Sequence, residues 1–113
     1  MISTKLQILS NALVSAFTVE NQVTLDIFHY FRPQQNPPYC IWQEEAENGL
    51  SADNVKDCQA IRGTVDYFTR TEFDTNVDTI QGALDSCSAW YLNSVQFEED
   101  TNLIHYEWVW EVP

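Results

Sequence analysis

The chain has 113 residues, 44% of them apolar, which suits one globular domain spanning 1–113 and puts it in the globular class, not the disordered one. Seventeen acids against five bases leave a formal charge of −12, a surface that repels phosphate backbones and anionic lipid and argues against binding nucleic acid. No apolar run approaches the roughly twenty residues of a membrane helix, and the N-terminus lacks the basic start and apolar stretch of a secretory leader.

In chain order, Ile2, Leu6, Leu9, Leu13 and Phe17 recur at spacings of three and four, which predicts an amphipathic helix capped by Ser3 or Thr4. Val23, Leu25 and Ile27 alternate with Thr24 and Asp26, as in a half-buried strand. Residues 29–38 read as a loop, because Pro33, Pro37 and Pro38 cannot donate to a ladder. Tyr30 and Phe31 stand in that loop, where aromatics either anchor a partner or fold back onto the core. A strand is expected over 39–43, followed by an acidic connection over 44–56 with a turn signal at Asn48-Gly49. The connection is long for a hairpin, so it is expected to be mobile or to project from the body.

Residues 57–69 predict a long strand with Ile61, Val65 and Tyr67 on one face; Gly63 marks a bulge or a close backbone approach. Residues 71–74 cap a second helix, with Val77, Ile80, Leu84 and Cys87 as its apolar stripe and Asp74 and Asp78 complementing its dipole. The last segment is a hairpin. Tyr91, Val95 and Phe97 sit at alternating positions, residues 98–102 form a polar turn, and Ile104, Tyr106, Trp108, Trp110 and Val112 share one face of the final strand. The fold class is therefore α+β, in the order α-β-β-β-α-β-β. A mainly antiparallel sheet of about five strands carries two helices on one face, with the tryptophans beneath them and Glu107 and Glu111 outward.

Chemically poised groups are scarce. Cys40, Cys58 and Cys87 have no CxxC spacing and read as reduced thiols of a cytoplasmic protein. Each falls on a strand or an apolar helix face, where cysteine behaves as a small hydrophobe, and nothing local activates it toward His29 or His105 as base. Two isolated histidines lack zinc-ligand spacing. Glu44, Glu45, Glu47, Asp53 and Asp57 gather near one loop, but without the alternation of a calcium-binding loop. With three glycines there is no phosphate-binding glycine motif. The four tryptophans lie among acids, which favours packing over base stacking. No catalytic residue, metal site or cofactor is expected.

The chain resembles a family, the small tail-terminator (tail-completion) proteins of long-tailed bacteriophages and prophages. The likeness lies in the N-terminal helix, the Pro-rich approach to Pro38-Tyr39-Cys40-Ile41-Trp42, and the central Gly63-Thr64-Val65-Asp66-Tyr67-Phe68-Thr69 leading into the second helix. It extends through the aromatic strand Ile104-His105-Tyr106-Glu107-Trp108-Val109-Trp110-Glu111-Val112. It covers nearly the whole length, with size and element order carrying most of it. The resemblance implies a subunit that assembles into a ring, usually hexameric, at the end of the tail tube, docking to the head–tail connector. It places the protein in the virion tail or neck after assembly in the bacterial cytoplasm. An acid-lined lumen would let DNA slide through without adhering. A head–tail adaptor or other minor tail protein, and a monomeric protein-binding module, are the alternatives. The expected interface residues are Tyr30, Phe31 and Arg32 in the aromatic loop, and Glu44, Glu45 and Glu47 at the start of the acidic connection.

Overall fold

The structure, a computed structural model, describes residues 2–47 and 60–113. The chain runs through α1 (Ile2–Ala16), a small hairpin of β1 (Thr18–Val19) and β2 (Gln22–Val23), then β3 (Ile27–His29), β4 (Tyr39–Glu47) and β5 (Ile61–Thr69). It continues through α2 (Asn76–Cys87) into the hairpin of β6 (Ala89–Glu98) and β7 (Leu103–Val112). The fold is α+β. Five strands form a mostly antiparallel sheet in the order β3-β4-β5-β7-β6, and β1 and β2 make a separate two-stranded ribbon.

The first half departs from the expected order. The strand expected over 23–27 is divided, because Thr24 bonds back to the Phe17 carbonyl through both its amide (2.7 Å) and its hydroxyl (3.0 Å). The chain reverses through Glu20 and Asn21, both at positive φ, the geometry of a tight hairpin turn. β3 then pairs parallel to β4, in the register Ile27↔Cys40, Phe28↔Ile41 and His29↔Trp42. His29 thus closes a strand instead of opening a loop. Parallel neighbours need a crossover; residues 30–38 make it, and Arg32 lies over the ring of Phe68, 5.0 Å from its centre. The turn expected at Asn48-Gly49, and Asp53, Lys56, Asp57 and Cys58, lie outside the described residues.

Side-chain alternation assigns the two faces of the sheet. Cys40, Trp42, Ile61, Val65, Tyr67, Trp108, Trp110 and Val112 face the helices and join Leu9 and Leu13 of α1 and Ile80, Ala83 and Leu84 of α2 in one core. Trp108 and Trp110 are fully buried there. Neither indole N–H has a protein acceptor. Gly63 sits opposite a bulge in β4 at Glu45, between Glu44 and Ala46. A side chain at 63 would strike the Gln43 carbonyl and come within 2.7 Å of Glu44 Cα. Gly63 therefore serves both roles the sequence allows it.

The other face is not bare. Tyr39, Ile41, Phe68 and Leu103 form a second buried cluster with Phe28 against it. The crossover and its Arg32 explain that cover. Beyond the cluster this face carries Asp66, Glu107 and Glu111, with Asp66 directly across from Glu107 and Arg62 across from Glu111.

α2 is anchored at its start by Asp74. Tyr67 and Thr69 donate their hydroxyls to Asp74 Oδ2 at 2.6 and 2.7 Å, and the Asn76 amide donates to Oδ1 at 2.9 Å. Burial pushes the Asp74 carboxyl up, but the hydrogen bonds outweigh it and hold the group below its ordinary value. Burial, reinforced by the Asp74 hydrogen bond, pushes the Tyr67 phenol upward. The helix begins at Asn76, after Phe73 at a φ of 54° has turned the chain, and its cap residue Thr75 makes no side-chain cap bond. At its other end Trp90 Nε1 donates to Asp85 at 3.2 Å. α2 therefore runs from the Tyr67 end of β5 toward the Trp90 end of β6.

Candidate functional site

Where β3 ends, three aromatic rings stack. His29 lies 3.7 Å from Trp42 on one side and 3.7 Å from Tyr30 on the other, nearly parallel to both. His29 Nε2 donates to Glu44 Oε1 at 2.8 Å, and the Tyr30 hydroxyl donates to Glu44 Oε2. Trp42 and Glu44 stand two residues apart on β4, so ordinary alternation puts the carboxylate on the face of Trp42 and His29, just before the bulge at Glu45. Burial pushes the Glu44 carboxyl up; the bonds from Tyr30 and His29 more than offset it and leave the group below its ordinary value. The same hydrogen bond to the carboxylate pushes the Tyr30 phenol up.

Tyr30 stands at a φ of 74°, a left-handed conformation that costs an ordinary residue roughly 1–2 kcal/mol. The stack and the Glu44 bond hold it there. The next residue, Phe31, is 75% exposed. The six expected interface residues thus separate. Tyr30 and Glu44 belong to one locked cluster, Phe31 projects beside it, and Arg32 turns away to cover Phe68. Glu45 is exposed on the bulge, and the side chain of Glu47 lies outside the described ones.

A second histidine pair occupies the helix-free face. His105 Nε2 donates to Asp66 Oδ1 at 2.7 Å, and its ring stacks on Phe68 at 4.2 Å. Thr64 donates to the other Asp66 oxygen at 3.4 Å. The threonine reaches the carboxylate and not the histidine, so the trio lacks the nucleophile-to-base contact that hydroxyl chemistry requires. Cys40 is buried, and burial pushes its thiol far up; burial also raises Cys87. Neither surrounding favours a thiolate. Among the described residues no three His, Cys, Asp or Glu side chains gather closely enough to hold a metal ion. No helix among them is long and apolar enough to cross a membrane.

Two exposed apolar features escape sequence reasoning. Phe73 is 93% exposed in the turn before α2, in a stretch that reads as a helix cap. Along β6, Leu92, Val95 and Phe97 are all substantially exposed. A bulge at Asn93, between Leu92 and Ser94, reverses the alternation, so Leu92, Val95 and Phe97 share the face of Trp90 while Tyr91 points the other way. The crossing of α2 covers Trp90 and leaves the far end of the strand open. The sequence signal was there: β6 carries no charge before Glu98 and lies at the sheet edge, where charges normally discourage pairing.

No family model and no curated protein matches this chain.

Proposed function

We propose that this chain is a structural assembly protein of a phage tail or head–tail junction, forming an acidic ring that ends the tail tube and lets DNA pass. Its partners are further copies of itself, with six as the expected ring, and the tail-tube and head–tail connector proteins. The observation that carries the reading is the division of charge and cover on the sheet. The helices cover much of one face, while the other carries Asp66, Glu107 and Glu111, beside Arg62 and His105, on a molecule of net charge −12. A molecule of that charge repels a passing phosphate backbone. The locked turn at Tyr30, with Phe31 projecting from it, supports a protein-facing role, because a strained conformation held by its neighbours fixes where an exposed aromatic points. No step of this role needs a catalytic group or cofactor.

Deleting the gene in the phage or lysogen that encodes it is the direct test. The expected result is tube-like tails of uncontrolled length, heads without functional tails, and infectivity restored when the chain is supplied in trans. Normal virions from the deletion would overturn the reading.

A further inference from the structure

Two clefts meet at one carboxylate beside the outer edge of β3. The larger, of about 240 Å³, is lined by Val14 of α1, Val23 of β2, Leu25, Asp26, and Ile27 and Phe28 of β3. Its neighbour, of about 180 Å³, shares Val23, Leu25 and Asp26 and is completed by Thr24 and Pro38. Among the described residues Asp26 is the only charged one that lines either cleft, and residues 6–19, from which Val14 comes, carry no charge at all. Val14 and Val23 leave apolar surface open here, at 44% and 63% exposure. Gln35 Nε2 donates to Asp26 Oδ2 at 3.2 Å and orients the carboxylate; among the described residues no other side chain donates to it. β3 is an end strand of the sheet. The Asp26 carbonyl accepts the Cys40 amide, and the Tyr30 amide donates to the Trp42 carbonyl, so residues 26, 28 and 30 turn their backbone groups toward β4. The residues between them face the other way along a strand, which points the amides and carbonyls of Ile27 and His29 outward from the sheet.

We infer that this edge binds an extended segment of a different protein, which seats a lysine or arginine at Asp26 and an apolar side chain, two positions away, in the cleft of Val14 and Val23. Each part of the segment is selected by a different feature. A cationic head on an aliphatic stem matches a carboxylate set among apolar walls, because lysine and arginine lay their stems on apolar surface and keep the charge at a polar group. The net charge of −12 attracts a cationic segment to this edge, and it opposes nucleic acid, anionic lipid and a second copy of the chain. Extended geometry follows from the pair of clefts. Side chains at alternate positions of a strand share one side at a spacing of roughly 6–7 Å, which two adjoining clefts accept. The outward backbone groups of Ile27 and His29 supply main-chain bonds to such a strand, while the clefts read its side chains. With three residues of edge in β3, the contact is weak and reversible, and its specificity rests on the cation.

The inference goes beyond the assembly reading and does not rest on it. The probe is a fluorescent peptide of alternating valine and threonine in which the central valine is replaced by lysine, titrated against the chain by polarisation. Saturable binding is expected. A probe with glutamate in place of the lysine, and Asp26→Asn in the chain, are each expected to weaken it about tenfold, the scale of one charge-assisted hydrogen bond. Asp26→Lys is expected to invert the preference, so that the glutamate probe binds better than the lysine one. Glu99→Gln removes the same charge in the turn between β6 and β7 and is expected to leave the affinity within about twofold. In backbone NMR spectra the probe is expected to shift the amides of Ile27 and His29. Absence of saturable binding, equal binding of the two probes, an equal loss from Glu99→Gln, or shifts centred on residues 92–97 of β6 overturns the proposal. Circular dichroism checks the variants, and the comparison of the two probes uses the unaltered chain alone. Shifts at residues 23–29 that grow with protein concentration in the absence of probe would give the clefts to a second copy and overturn the proposal as well. Normal virions from the gene deletion would overturn the assembly reading and leave this one standing.

Discussion

The two strands of the final hairpin have nearly the same recipe and opposite fates. β7 alternates Tyr106, Trp108, Trp110 and Val112 against mostly polar partners, and its tryptophans are fully buried. β6 alternates Trp90, Leu92, Val95 and Phe97 on the same face of the same sheet, and most of that surface faces solvent. The difference lies outside both strands. α2 is fastened at Tyr67 by Asp74 and at Trp90 by Asp85, so its path covers β7 and only one end of β6. Periodicity assigns residues to a face; the path of a helix decides how much of that face is core.

The largest expected effect tests the buried half. Trp108→Ala should destabilise the domain by about 3–5 kcal/mol in a denaturant titration. A cost below about 1 kcal/mol would show that β7 is no more core than β6. Trp108→Phe should cost markedly less, since it keeps an aromatic ring and removes an indole N–H that has no protein acceptor.

The next effect tests the helix that creates the contrast. Asp74→Ala removes the acceptor shared by Tyr67, Thr69 and the Asn76 amide, and should cost about 1–3 kcal/mol at neutral pH, toward the lower end because the carboxylate is partly solvated. The folded state holds the Asp74 carboxyl below its ordinary value, so its contribution is present above the unfolded value near 4 and is lost as pH falls through the folded one. Glu44 contributes with the same sign. The gap between wild type and Asp74→Ala should therefore narrow in acid. A gap independent of pH, measured by thermal melts from neutral into acid, would remove the carboxylate from the account.

A smaller effect tests the exposed half. Phe97→Ser should change stability by no more than about 0.5 kcal/mol, the range of surface substitutions. A loss near that of Trp108→Ala would put Phe97 in the core and erase the contrast. Smallest of all is an expected null: at physiological salt the chain should show no salt-sensitive micromolar affinity for duplex DNA by fluorescence polarisation, given its charge of −12.

Much of the architecture was legible in the residues. The helices, the aromatic strand, the outward Glu107 and Glu111 and the special role of Gly63 follow from period, composition and the lack of a β-carbon. The parallel β3 was not legible, because three residues of pairing leave no periodic trace and Thr24 breaks the strand through a bond to distant Phe17. The candidate site was half legible. Tyr30 and Phe31 stood out as loop aromatics, but the locking of Tyr30 by Glu44 depends on the parallel pairing of β3 with β4, which brings His29 and Tyr30 beside the carboxylate. The open end of β6 was hidden by a bulge: alternation read straight through Asn93 puts Tyr91 with Val95 and Phe97, and one extra residue undoes that grouping.

That extra residue also limits what β6 can become. An uncharged edge strand of ten residues is a template on which further strands could zip end to end, the geometry from which fibrils grow. The kink at Asn93 breaks the row of outward amides and carbonyls into two short runs with different twist, so no incoming strand can follow the edge along its whole length. Deleting Asn93 would leave Leu92, Val95 and Phe97 on their present face while straightening the edge. The surface would be unchanged in composition, yet open to unlimited growth in place of a contact of defined extent.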